Sequence, residues 1–312
     1  MVIAKKNKKI KALVLFSGGL DSRLVIKLLQ EQKLVVEALH IKLPFGTGCC
    51  NNFECVFNFS QLSGAKLHVL DCTKKKLLQN YLRIIKNPEF ERGTGFNPCK
   101  DCKIFIFKLG KKLAKEIGAD IIATGEVLGQ RPMSQMKKDL LLDEKKAGLE
   151  GRILRPLSAK LLPLTVYEKK KLVDRDKFLD ISGRRRDRQI ALAEKYGIKY
   201  PNPGGGCLLC EKFLKKRFEI LLDKGLNEIT VNLVSVGRHF LINDCWIVLG
   251  RNEQENKILE KINEGEFIEP AFIGPNARIF GKIQINKVLK LIKSYSKQGS
   301  IKDRNYWEKY KI

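Results

Sequence analysis

Short apolar runs alternate with segments of helical spacing through the first half of the chain. Residues 12–16 read as a buried strand, and residues 20–30 follow with apolar side chains at Leu24, Val25, Leu28 and Leu29, one face of a helix. Residues 35–41 and 67–71 read as further strands. Residues 103–117 read as an amphipathic helix, and residues 120–124 as a strand ending at Thr124-Gly125. Strand and helix alternating in this way predict an α/β fold, a doubly wound, Rossmann-like parallel sheet with helices on both faces.

The pattern changes after residue 152. Residues 152–157 look like a last extended segment, followed by short helical pieces over 165–173 and 184–196. A Pro- and Gly-rich hinge over 201–206 leads to a helix over 211–224. β-rich runs at 229–236, 240–242 and 246–249 and a further helix then suggest a separate α+β module. The organisation predicted is a first domain over 1–160, a small helical connector over 161–224 and a C-terminal domain over 225–312.

Composition narrows the class. The chain has 312 residues, 60 Lys and Arg against 34 Asp and Glu, and a net charge of +26 spread along its length. Such a surface suits a polyanion, since each phosphate contact releases a counterion, and nucleic acid is the natural partner. The densest basic run is Arg184, Arg185, Arg186 and Arg188. No apolar stretch is long enough to span a membrane and no signal sequence precedes the first strand, so a cytoplasmic protein with no membrane partner is expected. The nine cysteines are odd in number, which argues against a disulfide framework.

Two motifs carry chemistry. Phe16-Ser17-Gly18-Gly19-Leu20-Asp21-Ser22 joins the first strand to the first helix. Two glycines allow close approach of a pyrophosphate, the helix start offers free N–H groups, and the two serines add hydroxyls. Asp21 suits Mg²⁺ or the helix cap. The loop is neither a Walker A sequence nor Gly-x-Gly-x-x-Gly. The second motif is a pair of Cys-x-x-Cys sequences, Cys99/Cys102 and Cys207/Cys210. They could bind structural zinc, ligate an iron–sulfur cluster or act in redox chemistry, and spacing alone does not separate these. Cys49, Cys50 and Cys55 read as loop and core thiols. Cys72, Cys245 and the three histidines (His40, His68, His239) read as packed residues.

The Ser-Gly-Gly-x-Asp-Ser loop resembles the PP-loop of ATP pyrophosphatases. With Asn97-Pro98 and Cys102 before a helix, Gly118 to Gly125, and Arg155-Pro-Leu157, the chain to about residue 157 resembles the tRNA thiouridine synthases. That resemblance implies an ATP-dependent tRNA sulfurtransferase: uridine is adenylated, then sulfur attacks and AMP leaves. It implies ATP on Phe16, Ser17, Gly18, Gly19, Asp21, Ser22, Thr124 and Gly125, with Mg²⁺, and catalytic roles for Asp21, Cys102 and Cys207. The wider group implies a [4Fe–4S] cluster on Cys99, Cys102 and Cys207, with Cys210 as a further thiol. Gly129 to Ser134 resembles a stretch in cluster-bearing relatives. Persulfide chemistry on Cys207, resolved by Cys102, is the alternative. So are a PP-loop enzyme with an amine nucleophile and structural zinc, a nonenzymatic RNA-binding factor, and a small-molecule sulfur enzyme. The sulfur donor would be sulfide or a cysteine desulfurase. Val236 to Phe240 and Val248 to Asn256 resemble the NFACT-R RNA-binding domain, which implies that Arg238 and Arg251 hold tRNA alongside the basic run.

Overall fold

The structure, a computed structural model, describes residues 9–46, 53–132, 134–201 and 206–312. It divides into two compact units. The first comprises residues 1–73, 83–93 and 97–208, and the second residues 74–82, 94–96 and 209–312.

The first half of the chain runs β1 (Lys11–Leu15), α1 (Leu20–Glu31), β2 (Val35–Lys42), α2 (Phe53–Ser63), β3 (Lys66–Asp71), α3 (Lys75–Lys86), α4 (Cys99–Ile117), β4 (Ile121–Thr124) and α5 (Lys137–Ala147). The strands form one parallel sheet in the order β3-β2-β1-β4. This is the predicted doubly wound arrangement. Because side chains alternate across a strand, β1 serves both faces. Ala12 and Val14 join a core with Leu24, Val25, Leu28 and Leu29 of α1, while Leu13 joins one with Ile104, Phe107 and Ala114 of α4. Each such large apolar side chain contributes about 1.5–3 kcal/mol by burial.

The order of strands matters for function. The chain steps outward from β1 to β2 and β3, then returns to the other side of β1 for β4. The switch point therefore lies between β1 and β4, where open α/β sheets bind ligands at the carboxyl ends of the strands. Leu15 pairs with Thr124 there. The segment read as extended over 152–157 continues this edge, with a parallel bridge between Ala123 and Leu154.

Several local expectations are corrected. The helix expected from residue 103 begins at Cys99, with Pro98 as its N-cap and Cys102 N–H donating to the Pro98 carbonyl at 2.9 Å. A proline just before the helix presets the entry of the chain. Asp101 accepts from the N–H groups of Glu89 and Phe90, which anchors that first turn. The helical pieces expected over 165–173 and 184–196 shorten to α6 (Val166–Lys169) and α7 (Asp187–Lys195). The 211–224 helix splits into a 3₁₀ turn, Lys212–Leu214, and α8 (Lys215–Lys224).

In the second unit, β5 (Arg238–Ile242), β6 (Cys245–Leu249), β7 (Glu266–Ile268) and β8 (Ala277–Phe280) form an antiparallel sheet in the order β5-β6-β8-β7. Asn243 and Asp244, both with positive φ, make the β5–β6 turn. The sheet packs with α10 (Ile285–Ser294) and α11 (Ile301–Glu308), which follow α9 (Glu253–Glu260). The run expected to be β over 229–236 is a 3₁₀ helix, Thr230–Ser235. Its buried residues, Thr230, Val231, Leu233 and Val234, recur by threes, and Asn227 Oδ1 accepts from the N–H groups of Ile229 and Thr230 to start the turn. Local capping thus overrides β-branched composition.

Candidate functional site

The loop after β1 sits at the switch point. Phe16 is buried, its N–H donating to the Leu39 carbonyl at 2.7 Å and its carbonyl 3.1 Å from His40 Nδ1. Gly18 takes a φ of 83°, open to glycine but strained for other residues. Gly19 is the N-cap of α1 and supplies no side-chain cap. The first-turn N–H groups are therefore left for a ligand, at the positive end of the helix dipole. Ser22 Oγ donates to the Gly19 carbonyl at 2.9 Å and lies 3.4 Å from Ser17 Oγ, so both hydroxyls gather within the loop.

The opposite wall is the exit of β4. A Cβ on Gly125 would stand 2.6 Å from Ser22 N and 2.8 Å from Asp21 C, so glycine allows the two loops to close on each other. Thr124 Oγ1 accepts from Glu126 N–H at 3.1 Å. Asp21 Oδ2 accepts from Gln130 Nε2 at 3.2 Å, while the buried Oδ1 has no hydrogen-bond partner among the described residues. Burial raises the Asp21 carboxyl above its usual range, opposed by the Gln130 hydrogen bond and by the charge of Arg186. A buried carboxylate oxygen left without a hydrogen bond, on a residue of the phosphate loop, fits Mg²⁺, which takes one or two protein carboxylates with substrate phosphates and water.

Residues beyond the motif hold this geometry. Arg23, almost fully buried, donates from Nε to the Gly18 carbonyl at 2.7 Å, from Nη1 to the Lys199 carbonyl at 2.8 Å and from Nη2 to Cys55 Sγ at 3.0 Å. Below Thr124-Gly125, Lys103 Nζ lies 2.6 Å from Glu126 Oε1 and 3.5 Å from Asp143 Oδ2, and Arg155 Nε donates to Glu126 Oε2 at 2.9 Å. Arg155 also pairs with Glu144. Burial disfavours ionised Glu126, but Lys103 and Arg155 outweigh it and hold the carboxyl at about 2. Burial pushes Asp143 up to about 6, opposed by Lys103 and reinforced by Glu126. This network joins the start of α4, the exit of β4 and α5. The sequence offered Arg155 only as part of a motif, and nothing in it singled out Arg23, Lys103 or Glu126.

The start of α4 also belongs at the carboxyl side of the sheet. Ile117, its last residue, is tied to the amino end of β1 by Lys11 Nζ at 3.0 Å, and 19 residues carry the helix back about 27 Å. Cys99 and Cys102 lie on that first turn, both half-buried, and Asn97 Nδ2 lies 3.1 Å from Cys99 Sγ. Cys207 bridges to Gly46, just beyond β2. Cys210 is exposed and belongs to the second unit. Among the described residues no three Cys, His, Asp or Glu side chains gather as a metal-binding group. Cys99, Cys102 and Cys207 all fall in the first unit. Cys49 and Cys50 lie outside the described residues, as do Met133 and residues 202–205.

The basic residues are dispersed. Arg184, Arg185 and Arg186 precede α7, with Arg186 as its N-cap, and Arg188 Nη2 pairs with Asp180 at 2.6 Å. In the second unit Arg238 lies over the Tyr295 ring at 5.3 Å, and Arg251 pairs with Glu255. Of the histidines, His40 touches the loop, His68 Nε2 lies 2.5 Å from Glu37, and His239 is buried between the Val236 carbonyl at 2.7 Å and Trp246 Nε1 at 3.2 Å.

The match to known proteins falls on the domain carrying this loop. Residues 10–147 match the model of the tRNA methyl transferase HUP domain. This stretch is thus similar to tRNA-modifying proteins, the tRNA-thiolation enzymes among them. A tRNA-specific 2-thiouridylase of Campylobacter curvus is 34% identical over 121 residues, 37% of this chain and 34% of that protein. A probable tRNA sulfurtransferase of Methanobrevibacter smithii is 32% identical over 149 residues, 47% of this chain and 37% of that protein. The chain thus spans about a third of the length of these curated relatives. A tRNA thiolase from Methanococcus maripaludis, solved with its [4Fe–4S] cluster, aligns with a TM-score of 0.38 and 15% identity over 72% of this chain and 71% of its own. No helix among the described residues is long and apolar enough to cross a membrane.

Proposed function

We propose that the protein is an ATP-dependent tRNA sulfurtransferase that converts a uridine carbonyl to a thiocarbonyl. The observation that carries this reading is the uncapped PP-loop helix at the β1/β4 switch point, on the same side of the sheet as the first turn of α4 with its two cysteines.

The β- and γ-phosphates of ATP rest on Ser17 to Ser22, whose backbone N–H groups and hydroxyls neutralise the leaving pyrophosphate. Mg²⁺, held by Asp21, would add charge neutralisation at the phosphates. The uridine carbonyl oxygen attacks the α-phosphorus and pyrophosphate leaves, turning a poor leaving group into AMP. A persulfide on Cys207 then attacks the activated carbon through its outer sulfur, and AMP departs. The Cys102 thiolate attacks the Cys207 sulfur and releases the thiocarbonyl, forming a Cys102–Cys207 disulfide that a thiol reductant resets. A cysteine desulfurase would supply the persulfide. Both routes need Cys102 and Cys207 to meet; the cluster reading needs Cys99 to join them as a third ligand, and no step is derived through it. The tRNA backbone is assigned to Arg184, Arg185, Arg186 and Arg188, with Arg238 and Arg251 on the NFACT-R-like module. Arg251 and Arg188 would first have to leave their carboxylate partners.

The test is nucleoside mass spectrometry on unmodified tRNA incubated with the protein, ATP, a cysteine desulfurase and cysteine. A thiouridine that disappears with Cys102→Ser and Cys207→Ser supports the proposal. Pyrophosphate release without any thionucleoside would move the enzyme to another nucleophile. Iron and acid-labile sulfide, measured on anaerobically purified protein, separate the persulfide route from a cluster route.

A further inference from the structure

We propose that the face built by α10 and α11 is a separate RNA-binding groove. It would take a single-stranded or looped segment, with phosphates on Lys287, Lys290 and Lys293 and a base on Tyr306. The inference rests on the RNA-modifying reading for the identity of its partner, but not for its test.

Four observations converge on this face. Residues 282–312 carry nine Lys and Arg against two acidic residues. Lys287, Lys290 and Lys293 line one cavity of about 660 Å³ together with Asn286, Gln298 and Tyr306. Spaced by three on one helix, these lysines span about 9 Å along the axis. Among the described residues none of them lies within 4 Å of a carboxylate, in contrast to Lys257, Lys309's neighbour Lys311, and Arg251, which are all paired. Asp303 also lines the cavity, but its carboxylate accepts from Ser300 N–H at 3.0 Å and Ser300 Oγ at 2.6 Å, closing the cap of α11.

The aromatic component distinguishes RNA from a simple polyanion. Tyr306 is 53% exposed, yet its ring is braced edge-on against the buried Trp307 at 4.9 Å. A fixed, exposed ring beside cations that have no carboxylate within 4 Å among the described residues is the combination by which single strands are held, through base stacking with backbone neutralisation. Lys309 Nζ rests 4.6 Å from the Tyr306 centroid, where an arriving base would displace it toward a phosphate. Asn286 and Gln298 add amide donors and acceptors for base edges. An anionic membrane would meet the rim of this concave site and leave its floor unused.

The experiment uses the full chain and measures binding rather than thiolation. Affinities for a labelled oligouridine of about twelve nucleotides and for an unmodified tRNA transcript are taken across a salt series. The variants are the triple Lys287→Gln, Lys290→Gln, Lys293→Gln, and Tyr306→Ala with Tyr306→Phe as its control. For the oligouridine, the triple variant should lower the slope of log affinity against log salt by about 2, at about 0.7 per phosphate contact. Tyr306→Ala should weaken binding about tenfold without changing the slope, and Tyr306→Phe should restore it. Unchanged slope and affinity in the triple variant would overturn the proposal. So would loss of binding to phosphatidylserine vesicles with RNA binding intact. RNA binding that depends on these residues in a protein that forms no thionucleoside would keep this inference and reject the sulfurtransferase.

Discussion

Gly125→Ala tests the assignment of the phosphate cradle most directly. The added Cβ would stand 2.6 Å from Ser22 N and 2.8 Å from Asp21 C, backbone atoms on the opposite wall that cannot rotate away. Ordinary contact begins at 3.4 Å, so the β4 exit and the α1 start must part by about 0.8 Å, the difference between 3.4 and 2.6 Å. Overpacking of this kind costs about 1–3 kcal/mol of stability. Its larger effect falls on the ligand, because a misplacement of about 1 Å can cost about a hundredfold in rate. Gly118→Ala is the matched control. Gly118 has a positive φ, 64°, which Gly125 lacks, and no described atom lies within 4 Å of its Cβ position, so it suffers about 1–2 kcal/mol of left-handed strain with no clash. Calorimetric melting should show comparable losses in both variants. Isothermal titration with a nonhydrolysable ATP analogue should show about a tenfold weaker Kd, about 1.4 kcal/mol, for Gly125→Ala alone. Equal nucleotide affinity in the two variants would refute the cradle.

Three further expectations follow from the same geometry. Arg23→Met leaves the Gly18 and Lys199 carbonyls without their donor and should cost about 2–4 kcal/mol in urea unfolding, with nucleotide affinity falling because Gly18 is released. Glu126→Gln leaves Lys103 and Arg155 without their shared counter-charge and should cost about 3–5 kcal/mol, whereas Lys146→Gln, whose pair with Glu89 is exposed, should stay within about 1 kcal/mol of wild type. His239 is held neutral, its imidazole pushed down to about 3 by burial and by the charge of Arg217. A depressed histidine stabilises the fold above its unfolded value of about 6.5 and loses that contribution as pH falls, about 2 kcal/mol by pH 5. His239→Phe should flatten the decline between pH 6.5 and 5 in denaturant titrations, and an unchanged slope would assign the decline to other groups.

The sequence was most legible where one local rule decides the outcome. The β1, β2 and β4 strands are largely buried apolar runs between helical patterns, β3 is a half-exposed edge strand, and their parallel pairing follows from the crossover lengths. The phosphate loop was legible for the same reason, since Gly18, Gly19 and Ser22 each serve a local requirement of a strand-to-helix turn. The 229–236 segment was misread because β-branched side chains suggested a strand, while Asn227 settled the conformation through hydrogen bonds that composition does not display.

The parts that stayed hidden are those made by long-range pairing. Arg23 looked like an ordinary helix cation, and only the fold brings the Gly18 and Lys199 carbonyls and Cys55 around it, the last two from positions 176 and 32 residues away. Glu126 and Lys103 are likewise unremarkable until α4 and the exit of β4 converge. A buried ion network costs desolvation energy, and a well-packed apolar cluster of similar volume can stabilise as much or more. What the charged version adds here is directionality. Lys103 immediately follows Cys102, and Glu126 immediately follows Gly125, so the 2.6 Å pair fixes the thiol-bearing turn against the wall of the phosphate loop. Two motifs that the sequence presents separately are thereby held in one register by residues belonging to neither.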